Sequence, residues 1–469
     1  MLKPCSLSFS ILAGLLLTQS VAAQDRTTEQ GEAAITDPNV ECSIYSWPPV
    51  AAAVTGGQFP PIWDPVTEVP ANDTEGRAKF LAINGSIPNI APKGTIAGDF
   101  SNFTPTYPAT DPDCWWTFHQ CVTPKVAGLN PDVASVPEPR TLGYGFDDGP
   151  NCSHNAFYDY LSARGQQATM FYIGSNVLDW PLEAQRAVAD GHQICVHTWS
   201  HRYMTAFSNE AAFGELWYTL KAIKLVTGVT PTCWRSRIER KWRRSEDANV
   251  DDVEGQEGRD TDVDPAEPGA TREVAIAALC RWMRAAMWPP YGDVDDRIRY
   301  IAAQLGLETI IWKYDSFDWM VGLNGITEQD VQANYQALIA NVSAGTFDTV
   351  GAIMLTHELN NFTMQTAMDN YPALVQAFDH VVPIAVALNQ TTPYVETNYT
   401  FLNFDQYTSN HSAATALNGT NNLTDSSGSS GSSSGTSSGS GSGSSGAAVG
   451  LRVPTLGVFG MMVLGLAMM

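Results

Sequence analysis

An α/β fold, a parallel barrel of strand–helix units, is predicted by three features of the sequence. Between about residues 141 and 388, seven short runs rich in β-branched and aromatic residues follow one another. Stretches with apolar residues at spacings of three and four lie between them, the signature of amphipathic helices. The span, about 250 residues, suits one large α/β unit. Strands that alternate with helices pair in parallel, and such a barrel carries its chemistry at the C-terminal ends of its strands.

The expected strands, in order, are 141–146, 168–174, 193–198, 231–234, 308–315, 352–357 and 381–388. The clearest helical patterns between them are 209–229 and 327–343. Residues 24–140 are Pro-rich and poorly periodic, and read as an irregular N-terminal extension. Residues 389–446 read as a polar, glycosylated stalk that ends in an almost pure Ser/Gly tract from 426, a composition of flexible spacers.

Both ends of the chain resemble export signals. Residues 1–23 begin with Lys3, continue through an apolar stretch at 11–17 and finish on Val21, Ala22 and Ala23, the layout of a cleaved secretory leader. At the other end small residues, a short spacer and an apolar run (453–469) come in the order of a GPI-attachment signal. The anchor would join at Ser444, Ser445 or Gly446, and 447–469 would be removed. A C-terminal transmembrane helix is the alternative, although so short a run spans poorly. The protein is therefore expected to be secreted, on the outer face of the plasma membrane and in the cell wall.

Composition agrees with that route. Asn-x-Ser/Thr sequons occur at Asn72, Asn84, Asn102, Asn151, Asn341, Asn361, Asn389, Asn398, Asn410, Asn418 and Asn422. Beyond Cys5, in the leader, lie Cys42, Cys114, Cys121, Cys152, Cys195, Cys233 and Cys280, an odd set that must leave one thiol unpaired in a compartment that permits disulfides. A formal charge of −23 excludes nucleic acid as a partner, because phosphates would be repelled.

The unusual residues sit at the predicted strand ends. The first strand runs into Asp147-Asp148-Gly149-Pro150, adjacent carboxylates that point in different directions, so that one can hold a metal while the other faces water. The third ends in His197-Thr198-Trp199-Ser200-His201. Two His four apart lie on one face of a helical turn and can share one divalent ion. Thr198 in place of Glu argues against the zincin protease pattern. His119, His154 and His192 have no partner motif and read as structural, and Trp115-Trp116 between Cys114 and Cys121 reads as a disulfide-stapled packing cluster.

Taken in order, Phe146 to Pro150, His197 to His201, Pro289-Pro290-Tyr291-Gly292-Asp293, Asp315 to Trp319 and Leu355-Thr356-His357 resemble the five motifs of carbohydrate esterase family 4, over roughly residues 114–388. Residues 151–204 look most like the fungal chitin deacetylases of that family. The resemblance implies a distorted seven-stranded barrel of the NodB type, with a zinc or cobalt ion on Asp148, His197 and His201. It further implies Asp147 as general base, His357 as general acid with Asp318 as its partner, Arg235 as the orienter of Asp147, and the Tyr291 backbone N–H as an oxyanion donor. Trp319 and Leu355, with Tyr291, would form the acetyl pocket. The implied reaction is removal of N-acetyl groups from chitin or a related polysaccharide by a monomer. An acetyl esterase of xylan and a catalytically silent, wall-anchored sugar binder are the alternatives.

Two departures from the family pattern stand out. Gly145 occupies a position where the first motif often has Thr. Residues 236–288 separate Arg235 from Pro289, although joining the two would recreate Trp-Arg-Pro-Pro-Tyr-Gly-Asp. Of all the Asp, Glu, Lys and Arg in the chain, 21 fall within these 53 residues, roughly three times the density elsewhere. The segment reads as translated intron or a gene-model error, and puts the role of Arg235 in doubt.

Overall fold

A computed structural model describes residues 25–236 and 292–410. The leader, the segment 237–291 with Tyr291, and the tail from 411 with Ser444, Ser445 and Gly446 lie outside the described residues.

Among the described residues nine strands form: β1 (Thr141–Gly143), β2 (Gly145–Gly149), β3 (Thr169–Tyr172), β4 (Gln193–Val196), β5 (Cys233–Trp234), β6 (Glu308–Thr309), β7 (Tyr314–Asp315), β8 (Ala352–Leu355) and β9 (His380–Val382). They pair in the orders β7-β8-β1-β9 and β2-β3-β4-β5-β6, in parallel throughout. β1 and β2 are two halves of one run, turned at Tyr144. The first half belongs to one sheet and the second to the other, and a parallel bridge from Asp147 to His357 continues the wall between them. The result is a distorted parallel barrel.

Strand sequences follow from this burial. Both faces of β3 and β4 are covered, so Thr169-Met-Phe-Tyr and Gln193-Ile-Cys-Val are buried at every position. The buried Gln193 is tolerated because its Oε1 accepts from Thr169 Oγ1 at 2.7 Å and from Ala385 N at 2.9 Å. The helix Asn209–Thr227 starts on the Ser208 cap and stops at Gly228, which takes the left-handed φ of 81°. Glu328–Ser343 starts from a capping box between Thr327 and Asp330. Both match the periodicity closely.

Four expectations need correction. The run 308–315 is two strands in different sheets, and the break between them is filled by Val133 of the N-terminal extension, which pairs with Ile310. The run 381–388 yields only the short β9 before Ile384–Ala387 turns helical. The extension is less irregular than its composition suggests. It contributes the short helices Glu29–Ala33, Pro38–Glu41, Pro48–Thr55, Thr74–Asn84 and Trp116–His119, several begun by Pro or Asp. The domain also continues past 388: Tyr394, Phe404 and Tyr407 are buried, and Tyr394 Oη accepts from Ile194 N at 3.0 Å. Aromatic residues among sequons were the overlooked signal.

Disulfides join Cys42 to Cys152, Cys114 to Cys121 and Cys195 to Cys233. The seventh cysteine, Cys280, lies outside the described residues. Trp115 and Trp116, beside the second bridge, are fully buried, which makes them packing residues.

Candidate active site

The C-terminal ends of β2, β4 and β8 converge. β2 delivers Asp147 and Asp148, and its register against β3 shifts between Asp147 and Gly149. With Asp148 at φ 74°, a conformation few L-residues adopt, the two carboxylates diverge. Glycines are required around them. A Cβ on Gly149 would stand 2.6 Å from both Glu358 Oε2 and Tyr172 Cε1. One on Gly145 would stand 2.7 Å from the Thr169 carbonyl oxygen, which accounts for the missing Thr of the first motif.

β4 delivers the histidines, but not on the helical turn expected from their spacing. Residues 197–201 form an irregular loop in which Thr198 (φ 65°) and His201 (φ 56°) reverse the chain. The outcome is the same convergence, with the imidazole centroids 5.0 Å apart. Asp148 Oδ1 lies 3.2 Å from His197 Nε2 and 2.9 Å from His201 Nε2. The loop is held from behind by Glu215, a buried carboxylate on the Asn209–Thr227 helix. It accepts from Trp199 N, Ser200 N, Ser200 Oγ and Val66 N, although burial still raises its pKa. Glu215 shares that helix with Glu210, and only its burial sets it apart.

Arg235 reaches Asp147 in spite of the inserted segment beyond it. The fully buried guanidinium donates to Asp147 Oδ1 at 2.7 Å and lies over the Phe171 ring at 3.9 Å. Burial presses its pKa down, and Asp147 opposes that. The doubt raised by the insertion thus does not extend to this contact: Arg235 N donates to Val196 O, so β4 fixes the residue.

Across the site, β8 runs into His357. Asp318 accepts from the His357 backbone N–H at 3.0 Å and pairs with His357 Nδ1 at 2.6 Å. Burial works against an imidazolium there, but Asp318, with Asp148 and Asp147 further off, outweighs it and pushes His357 up to about 10. The Asp315 to Trp319 turn makes this possible: Asp315 Oδ1 accepts from Phe317 N, and Phe317 at φ 56° aims Asp318 inward. Trp319 is half-buried with its ring 6.4 Å from that of His357, while Leu355 is fully buried in β8.

A polysaccharide deacetylase family profile matches residues 135–246. A chitin deacetylase of Cryptococcus neoformans var. grubii is 46% identical over 388 residues, 82% of this chain and 72% of that protein. The chain belongs to the polysaccharide deacetylase family. A chitin deacetylase of Amylomyces rouxii is 39% identical over 365 residues, 77% of this chain and 73% of its own length. The solved chitin deacetylase of Colletotrichum lindemuthianum is 16% identical with a TM-score of 0.40 over 57% of this chain and 96% of that one, too remote a likeness to add weight.

In this deacetylase-family chain, two groups of three potential ligands lie within 4.8 Å among the described residues. One, Asp111 with Cys114 and Cys121, is consumed by a disulfide. The other is Asp148, His197 and His201, and its donor chemistry fits a metal. His197 Nδ1 lies 2.9 Å from the Arg235 carbonyl, which can only accept, so Nδ1 carries the proton and Nε2 presents a lone pair toward Asp148. Three such ligands leave open positions, as a catalytic site needs.

Two of the other described histidines do other work. His192 accepts from Ala168 N and is pushed down to about 3, chiefly by burial, so it stays neutral within the core. His119 is exposed and packs edge-on against Phe118. Asn151 is a sequon already engaged, its Nδ2 donating to Leu359 O and its Oδ1 accepting from Ser153.

Proposed function

We propose that this protein is a metal-dependent chitin deacetylase, which hydrolyses N-acetylglucosamine units to glucosamine units and acetate. One observation carries the reading: Asp148, His197 and His201 converge beside an Arg-held Asp147, whose backbone bridges to His357 of the Asp318–His357 couple. Near relatives that bear the name chitin deacetylase support the substrate.

A zinc or cobalt ion held by Asp148, His197 and His201 would supply Lewis acidity toward the acetyl carbonyl and the attacking water. Asp147, its carboxylate oriented by Arg235, takes a proton from that water as its oxygen bonds to the acetyl carbon. His357, kept cationic by Asp318, gives a proton to the sugar nitrogen as the carbon–nitrogen bond breaks, and acetate and the free amine leave. Trp319 and Leu355 border the space for the acetyl methyl, and the family pattern assigns the oxyanion contact to the Tyr291 N–H.

Acetate release from chitin oligomers should be lost on chelation and restored by zinc or cobalt. Release from acetylated xylan but not chitin would mark an esterase instead, and oligomer binding without release would mark a silent binder.

The route to the wall is part of the same proposal. Three disulfides and the sequons support export through an oxidising compartment. A phosphatidylinositol-specific phospholipase should free the full chain from membranes, and a chain ending at Gly446 should enter the medium. A membrane-bound protein that keeps residues 447–469 after the treatment would point to a transmembrane anchor.

A further inference from the structure

Glu358 comes directly after the proposed general acid and is completely buried, yet no part of the proposed chemistry uses it. A carboxylate taken out of water costs several kcal/mol unless its oxygens are well supplied with donors. The donors here come from the loop and helix that directly follow the strand carrying the proposed base. Oε1 accepts from Asn151 N at 2.9 Å and lies 2.9 Å from His154 Nδ1, and Oε2 accepts from Tyr158 Oη at 2.9 Å. Tyr158 is itself steadied by Tyr172 Oη of β3 at 2.7 Å. The backbone of Glu358 makes the same connection, donating to Asp147 O at 2.8 Å, while Asp147 N donates to Thr356 O at 2.9 Å. Gly149 completes the fit, since any side chain there would collide with Oε2.

We infer that Glu358 is a positioning residue, which fixes the separation of Asp147 and His357 by tying the loop after β2 to the end of β8. The inference rests on the hydrolytic roles proposed for those two residues. Asp147 and His357 must act on the same amide from opposite sides, and they meet at an isolated bridge between two different sheets. Ladder hydrogen bonds are few there, and Asp148 adds a left-handed residue beside the junction. A side chain that reaches 151, 154 and 158 from position 358 supplies the lateral restraint the short ladder lacks. The Cys42–Cys152 disulfide and the hydrogen bond from Asn155 N to Glu41 Oε1 restrain the far side of the same loop from the N-terminal extension.

Displacement of a reacting group by about 1 Å can cost roughly 10²-fold in rate. Glu358→Ala should therefore lower kcat on chitin oligomers by about 10²-fold, with KM within about threefold and full metal content. Glu358→Gln, which keeps the reach and one acceptor, should recover at least about tenfold of that loss. Tyr158→Phe, a gentler change should the alanine variant fail to fold, should lower kcat several-fold with metal retained. Hydrogen exchange over 147–154 should quicken in Glu358→Ala and slow again in Glu358→Gln, a readout that does not depend on the substrate. An unchanged kcat in a folded variant, or a loss of kcat that tracks loss of metal, would overturn the inference. Unchanged exchange would overturn it even if the wild-type chain released no acetate, the result that would instead sink the proposed reaction.

Discussion

Replacing His197 or His201 with Ala is expected to abolish metal binding and acetate release together. Each would supply one of the three proposed protein ligands, and His197 is preset for the task by the Arg235 carbonyl, which fixes its tautomer. Loss of the ion removes several kcal/mol of transition-state stabilisation, ~10³-fold or more in rate. His357→Ala separates the two properties. It leaves Asp148, His197 and His201 in place, so metal should stay at full stoichiometry while kcat falls about 10²- to 10⁴-fold, the usual worth of a general acid. Metal analysis of the purified variants, read beside their rates, checks both statements. Full metal content in His197→Ala would sink the ligand assignment.

The groups in that prediction were legible because their chemistry is written in short motifs at strand ends. Phe146 to Pro150 and His197 to His201 are local signals, and the barrel only had to bring them together. The backbone that does so was not legible. A His-x-x-x-His spacing implies a helical turn, yet Thr198 and His201 reach the same convergence through left-handed φ values that spacing cannot reveal. Residues that act at a distance were missed for a related reason. Glu215 and Glu358 look like ordinary surface acids in a sequence, and only burial with several donors marks them as supports. The barrel was read from alternating strand and helix patterns. Its split at Tyr144 and the two strands within 308–315 escaped, since continuous apolar runs do not show where a strand changes sheets.

Removing residues 236–288 should give the more active enzyme. Ser236, the first residue of the region, shows that its two ends lie close together: its Oγ donates to Asp293 O at 2.7 Å, a contact the deletion would replace by a direct Arg235–Pro289 link. Asp293 is buried and held by Trp115 Nε1, Thr117 and Thr205. On the other side, Arg235 is held by β4 and Asp147. Closing ~50 residues of loop costs on the order of 3 to 4 kcal/mol by the logarithmic rule, which a domain of this size can absorb. The chain as written can therefore keep its metal ligands and its Arg235–Asp147 contact, and what it stands to lose is Tyr291. Joined to Arg235, Pro289 and Pro290 have fixed φ angles and hold the Tyr291 N–H between two anchored ends. With the insertion present, Trp288 and not Arg235 precedes Pro289, so the Pro-Pro pair no longer leads directly from the end of β5. A lost oxyanion donor costs roughly 10²- to 10³-fold in kcat. The shortened chain should exceed the full one by up to about that factor at equal metal content, and the mature transcript should lack the corresponding codons. Equal kcat in the two proteins, with the codons present in the transcript, would make 236–288 a tolerated loop and leave the Tyr291 N–H positioned without the Pro-Pro link.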